Sequence, residues 1–556
     1  MSNLAGTKDD GPRADTIEAA GAEVGPEDHQ VHGTVQLLQG GSVVLIPTPS
    51  PDPKDPLNLP AWHKHLIIFI VGAYSAVAVL VTSGLGAVFP SVLAEYPPSD
   101  AARATDLLTY PALFMGVGNL LSMPLCAALG RRPVFLASLL VLVAAGLWCA
   151  LSTSLGSHVA GRDVYSLAAG QSEALAPLVV AEVHFLHERS AKLAWFVGVQ
   201  TAGTAALFVA TAYIVPAWGV KRWYLVTTSI SAAVLVLAFF FAVETRYDRP
   251  KHAGGESPPF RGAARPRLDQ AGDANCDSDA ETAAAVVVVR AVTRETHILN
   301  PDVFGPRTWR HDLRIFHFKP DWGQAVTFYR ETAQSLRLPN MLWMLLLNGA
   351  FLGIYVYQSS TFATILTSPP YLFEYGWLGN VQLVQVLDCL VLVPLLGYGS
   401  DMLARALGRR RNGMHRPEHR LIVLGLPVLS AIASCVFFGQ AGASPGRWHW
   451  MAVVAPYNLG YFAFLGANLV GVTYAIDSFP RKAGPLLLVI CAGRGLIAFG
   501  LGYSTVPLTD LIGYNGAMNT FAAISGVLGA ATFPVYCFGA RIRAWATETV
   551  WPETAQ

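Results

Sequence analysis

The sequence predicts an all-α integral membrane protein whose chain crosses the bilayer about twelve times, as two bundles of six helices. Three observations carry this. Asp, Glu, Lys and Arg make up only 13% of the 556 residues, against about 25% in an ordinary soluble protein. Hydrophobic residues make up 53%. Apolar runs near the ~20 residues that span a hydrocarbon core recur along the chain, and the charges crowd into the N-terminal tail, one central segment and short connectors.

Residues 1–62 are rich in Gly, Asp, Glu and Pro, lack periodicity and contain no charged-then-apolar leader, so they read as a disordered tail. The N-terminal bundle, 63–243, contains runs at 64–88, 106–128, 133–152, 158–182, 193–215 and 222–243. Segment 244–339 is polar, with Gly254-Gly255, Pro258-Pro259 and an acidic patch at Asp277, Asp279 and Glu281, and reads as a connecting loop. Its last part, 322–338, spaces aromatics and charges as an amphipathic surface helix does. The C-terminal bundle, 340–540, contains runs at 340–366, 377–398, 420–439, 449–475, 484–507 and 515–540, and 541–556 is a short tail.

Loop charge sets an expected orientation, because Lys and Arg favour the cytoplasmic side. One set of connectors carries Arg131, Arg132, Arg189, Lys192, Arg405, Arg409, Arg410, Arg411, Arg416, Arg420, Arg481 and Lys482; the other carries Arg103, Lys221, Arg222 and Arg447. This places both termini and the central loop in the cytosol, which requires an even number of spans. A net charge of +1 gives no field for nucleic acid. The seven cysteines show no metal-ligand spacing, and six lie in or beside apolar runs. Neither cofactor nor metal is expected. There is no Gly-x4-Gly-Lys-Ser/Thr string, which argues against a pump driven directly by ATP. The histidine pairs His184/His187 and His415/His419 have no convergent carboxylate cluster, so no enzyme is expected.

A charged side chain near the bilayer centre costs at least ~2.5–3.5 kcal/mol, so each one needs a reason. Gln382, Gln385 and Asp388 recur every third residue and form one polar stripe on the eighth run. It would line a wet cavity for substrate or proton, or else bond neighbouring helices. Glu173 precedes Pro177 by one turn, either as a gate or ligand point or as a structural carboxylate. Arg494 in the eleventh run would hold an anionic substrate or serve as counter-ion to Asp388 or Glu173.

Local strings then appear in a fixed order: Asp55-Pro-Leu-Asn58 with Trp62, Gly130-Arg-Arg-Pro133, Glu244-Thr-Arg-Tyr-Asp-Arg249, Asn348-Gly349, Arg411-Asn-Gly413, Pro417-Glu-His-Arg-Leu421 and Asp477-Ser-Phe-Pro480. Over roughly 55–540 this series resembles the major facilitator superfamily, in particular fungal transporters of the drug:proton antiporter type that include polyamine and histidinol transporters. The resemblance implies two pseudo-symmetric bundles around a central cavity, exposed to each side alternately. It implies a cavity lined by spans 1, 2, 4, 5, 7, 8, 10 and 11, which adds Tyr74, Asn119, Gln200, Tyr357, Gln358, Asn458 and Asn468, and an acidic residue at Glu173 fits its pattern. It also implies a cytoplasmic gate at Arg131, Arg132 and Asp401.

Departures from the pattern are local. Ala127 replaces the usual acid three positions before Gly130, whereas Gly397 and Asp401 keep the pattern in the second half. Arg162 is matched, but Tyr165 and Ser166 replace the Gln and Gly that normally follow it. Of the antiporter signature on span five only Gly198 and Gly203 remain. The implied function is a monomeric secondary transporter of a small organic molecule in the plasma membrane, with protons as a second partner if it is coupled. Export of a secondary metabolite, toxin or drug stands first. The alternative is proton-coupled or facilitative uptake of a polyamine, organic acid or other nutrient, and a non-transporting sensor is more remote.

Overall fold

The computed structural model describes residues 45–85, 101–104, 106–248, 299–410 and 414–551, with short pieces at 35–36, 38–39, 42–43, 92 and 96–97. Cys276, the acidic patch at Asp277, Asp279 and Glu281, and Arg411 lie outside the described residues. The first half contains α1 (Ala61–Ser83), α2 (Asp106–Leu129), α3 (Arg131–Leu151), α4 in two pieces (Leu155–Ala169 and Gln171–Glu182), α5 (Arg189–Trp218) and α6 (Val220–Phe241). The second contains α7 (Pro339–Thr367), a segmented α8 (Tyr375–Val381, Val384–Leu392, a π turn at Val393–Tyr398, and Gly399–Arg409), α9 (Pro417–Leu424 leading into Gly425–Ala443), α10 (Met451–Ser478) and α11 (Ala483–Tyr503). The last span, α12, follows Gly513, whose φ of 68° interrupts the helical run Thr505–Ala530, and continues through Thr532–Trp545.

Eleven helices among the described residues are individually long and apolar enough to cross a membrane. The fourth span is not among them, being cut at Gly170 into two shorter pieces. There α2 and α4 meet backbone to backbone. A Cβ on Gly118 would collide with the Leu167 carbonyl, and one on Gly170 with the Met115 carbonyl. Small residues allow such approaches in lipid. Pro177 lies inside its helix. The carbonyl it leaves without a donor, that of Glu173, accepts instead from Cys491 Sγ at 3.1 Å.

Pairing repeats between the halves. In the first half α1 packs on α5, α2 on α4 and α3 on α6; in the second α7 packs on α11, α8 on α10 and α9 on α12. The halves join at two seams, α2 against α11 and α5 against α8.

The expected tail is ordered over 45–60, a correction to its reading as structureless. The Asp55 side chain accepts from Leu57 N and Ser50 N, which caps the turn Pro56–Asn58 and buries Leu57. The Ile46 carbonyl accepts from Leu186 N at 2.7 Å, tying this segment to the connector after α4. Val35–Gln36 pairs antiparallel with Met414–His415. Composition suggested disorder because the anchors are a few capping atoms, not an apolar run. Two of the sequence strings also meet. Glu244 accepts from Arg131 N (2.9 Å) and Arg132 N (3.2 Å) and so caps α3. Gly130, at φ 105°, leaves room where a Cβ would strike that carboxylate.

Candidate functional site

The polar stripe of α8 faces a stack of aromatic rings. Tyr355 of α7 stacks on Tyr457 of α10 with ring centroids 5.6 Å apart, lies 4.9 Å from Tyr461 and 6.3 Å from Phe464. Phe362 stacks on the far side of Tyr457 at 4.6 Å. Gln382 Nε2 donates to the Tyr457 hydroxyl (3.0 Å), and Gln385 Nε2 lies between the hydroxyls of Tyr355 (3.3 Å) and Tyr457 (3.4 Å). The other half contributes Thr201 of α5, 3.0 Å from the Tyr461 hydroxyl. Asp388 sits half-buried at the end of this stripe, and its buried Oδ2 has no hydrogen-bond partner among the described residues.

A second polar cluster lies on α4 and α11. Arg494 Nη2 is 3.4 Å from Glu173 Oε1, and Nη1 donates to Asn468 of α10. The guanidinium also covers Phe464 at 5.6 Å, so the same aromatic stack links the two clusters.

The face that carries the basic loops is closed. Arg189, at the start of α5, pairs with Asp477 at the end of α10 (2.5 Å). Arg420 of α9 bridges Asp477 (2.5 Å) and Asp401 (2.7 Å) and donates to the Leu186 carbonyl of the first half (3.1 Å). The other Asp401 oxygen accepts from Ala191 N (2.9 Å), capping α5 across the seam. Beside this network His415 is buried, and burial together with the charge of Arg420 pushes its pKa down to about 3.

A family model described as the Major Facilitator Superfamily matches residues 71–530. The chain belongs to this superfamily. Among its relatives, an uncharacterized MFS-type transporter of Schizosaccharomyces pombe is 24% identical over 544 residues, covering 92% of this chain and 90% of its own. Protein HOL1 of Saccharomyces cerevisiae is 22% identical with 90% of each chain covered, and the efflux pump radE of Floropilus chiversii is 19% identical with 95% and 88% covered. Among solved structures, the human organic anion transporter MFSD10 (TETRAN) aligns with a TM-score of 0.52 at 14% identity over 85% of this chain and all of its own. The proton:xylose symporter XylE aligns with a TM-score of 0.51 at 12% identity over 88% of this chain and 96% of its own. The protein is therefore a multi-span superfamily transporter of small molecules.

Of the sequence-predicted site residues, this superfamily fold brings together Gln382, Gln385 and Asp388 in one cluster and Glu173, Arg494 and Asn468 in another. Several others make hydrogen bonds within or between helices. Tyr74 donates to the Ala168 carbonyl (2.6 Å), Gln358 to Ser434 (2.8 Å), and Tyr357 shares a 2.6 Å hydrogen bond with Thr509. Asn458 donates to the Val454 carbonyl of its own helix. Asn119 is fully buried beside the α2–α4 contact, and Gln200 is half-buried on α5. Of the three gate candidates, Asp401 crosses between the halves. Arg131 instead pairs with Glu182 (2.7 Å) and Arg132 donates to the Ala242 and Phe239 carbonyls, all within the first half. Arg162 is held by the Leu107 and Val81 carbonyls and by Tyr224. Sequence reasoning missed Tyr355, Tyr457, Tyr461 and Phe464, and missed Arg189 as a latch. A signal existed for the ring stack: positions 457, 461 and 464 share one face of α10.

Proposed function

We propose that this transporter takes up a small organic cation, a polyamine or related amine nutrient, by alternating access, with Asp388 as the counter-charge. One observation carries this reading. Glu173 has Arg494 as its partner, while the buried Asp388 Oδ2 has none among the described residues. A lone carboxylate in the membrane is expensive, and an incoming ammonium would offset that cost. The surrounding rings support the same class, because aromatic faces attract cations by ~0.5–2 kcal/mol each. An empty site would hold a proton there instead, giving Asp388 a role in coupling as well. The basic face is taken as cytoplasmic, with the Arg189–Asp477–Arg420–Asp401 network as its gate. Uptake is favoured over export because the antiporter signature of span five is reduced to Gly198 and Gly203.

The test is flux into proteoliposomes of labelled spermidine and of a labelled dicarboxylate, with and without an imposed pH gradient. Spermidine entry, lost in Asp388→Asn, is the expected result. Dicarboxylate flux indifferent to Asp388→Asn would overturn the assignment. Lower internal spermidine in cells that express the protein would reverse the direction to export.

A further inference from the structure

The two seams are closed at the basic face by different means. At the α5–α8 seam, Asp401 caps the first turn of α5 through Ala191 N. The pseudo-twofold pairing of the halves puts Ala127 of α2 opposite the first turn of α11 in the corresponding place. Ala127 has no carboxylate to offer, and its carbonyl accepts from Arg246 instead (2.6 Å). A cavity of about 410 Å³ remains there, lined among others by Cys126, Ala127, Arg131, Gly484 and Pro485.

The helix Trp322–Ser335 lies across this gap, packed against both α2 and α11. On its inner face Glu331 pairs with Lys482 at the start of α11, and the buried Phe328 ring occupies the space where a side chain on Gly484 would sit. On the α2 side the Tyr329 hydroxyl donates to the Leu120 carbonyl (2.9 Å), and Asp321 N donates to the Ala128 carbonyl (3.2 Å). Trp322, Val326 and Leu336 are exposed on the outer side, spaced as one helical stripe. An apolar outer stripe suits the lipid interface, so the helix can stay at the membrane while its inner face releases α11.

We propose that Trp322–Ser335 is the clamp of the α2–α11 seam, standing in for the carboxylate that position 127 lacks, and that it must leave α11 before the basic face opens. The two halves are then gated unequally, one seam by a side chain of the bundle and the other by an element of the interdomain connector. A signal that reaches the connector can act on one seam alone.

The experiment reads seam opening directly, without any transported substrate. Cys126 is buried and lines the cavity, so its alkylation by a hydrophilic maleimide, followed by peptide mass spectrometry on the full chain in lipid nanodiscs, reports access. Phe328→Ala with Glu331→Ala should speed alkylation about tenfold, within the range of coupling between packed elements. Adding Ala127→Asn, which can cap α11 without charging the surroundings of the thiol, should slow it again. Glu331→Lys should also speed alkylation, and Glu331→Lys with Lys482→Glu should restore the slow rate in a chain that keeps both charges. Wild-type alkylation in the Phe328/Glu331 double variant would overturn the clamp. A double charge swap as fast as Glu331→Lys alone would overturn the ion pair's part in it, and fast alkylation persisting with Ala127→Asn would overturn the substitution for the missing carboxylate.

Discussion

Two carboxylates lie at mid-depth in the bundle, and their surroundings divide the work between them. Glu173 meets Arg494 at 3.4 Å and lends its backbone carbonyl to Cys491, so it ties α4 to α11. Asp388 sits among tyrosines and glutamines with a buried oxygen that has no partner among the described residues. The same chemical group is structural where its charge is balanced and available where it is not. On the proposed reading Arg494, 3.4 Å from Glu173, acts as its counter-ion, one of the two roles the sequence offered for it.

The largest effect should come from breaking the balanced pair. Arg494→Leu leaves Glu173 without its partner, which costs about 3–5 kcal/mol when one member of a buried pair is removed. A thermal-unfolding scan of purified protein should show the loss, and Arg494→Leu with Glu173→Leu should recover most of it. If the single variant unfolds at the wild-type temperature, the pair is not structural and the contrast with Asp388 collapses. Asp388→Asn comes next. Gradient-driven flux should fall by more than about tenfold, a loss above ~1.4 kcal/mol, while the unfolding temperature stays near that of wild type because no partner is abandoned. Tyr355→Phe, which removes a hydroxyl 3.3 Å from Gln385, should raise KM several-fold, in line with the ~0.5–1.5 kcal/mol of an ordinary hydrogen bond. An unchanged KM would take Tyr355 out of the site.

A third acid, Asp477, extends the comparison to the basic face, where Arg189 and Arg420 over-satisfy it and His415 stands 3.9 Å away. The His415 pKa lies near 3 in the folded chain, against an unfolded value of ~6.5. Between these values the unfolded chain binds the extra proton, so stability falls as pH drops from about 6.5 towards 3 and is undiminished by this residue above that window. His415→Gln should flatten the pH dependence of unfolding there by up to about 1.4 kcal/mol per pH unit. This is the smallest of the four effects at neutral pH, where it vanishes.

Much of the fold was legible because lipid imposes a length and a polarity on every span, and those survive in one dimension. Asp388, Gln382 and Gln385 were legible for the same reason: a charge or amide in an apolar run stands out. What stayed hidden depends on contacts between distant strings. Glu244 caps α3 beside Gly130, yet each string alone looks like a loop marker. Gly170 cuts α4 because of where Gly118 lies on α2, which no local pattern of α4 records. Tyr457 and Tyr461 hid among apolar neighbours, since a tyrosine ring packs like any apolar side chain and the sequence does not say that its hydroxyl meets Gln382 or Thr201.

The α5–α8 seam has a mechanical consequence. Gly397 faces Ala194, and Gly379 faces Ala212, each so close that an added Cβ would lie under 3 Å from the alanine methyl. With almost no side chain between the two backbones at these points, there are few interlocking knobs to lift out of their holes. The seam has the character of a smooth bearing, along which one half can roll on the other with little repacking. Roughness added at either glycine would act as a brake, stiffening the rocking of the halves while leaving the aromatic site and its carboxylate untouched.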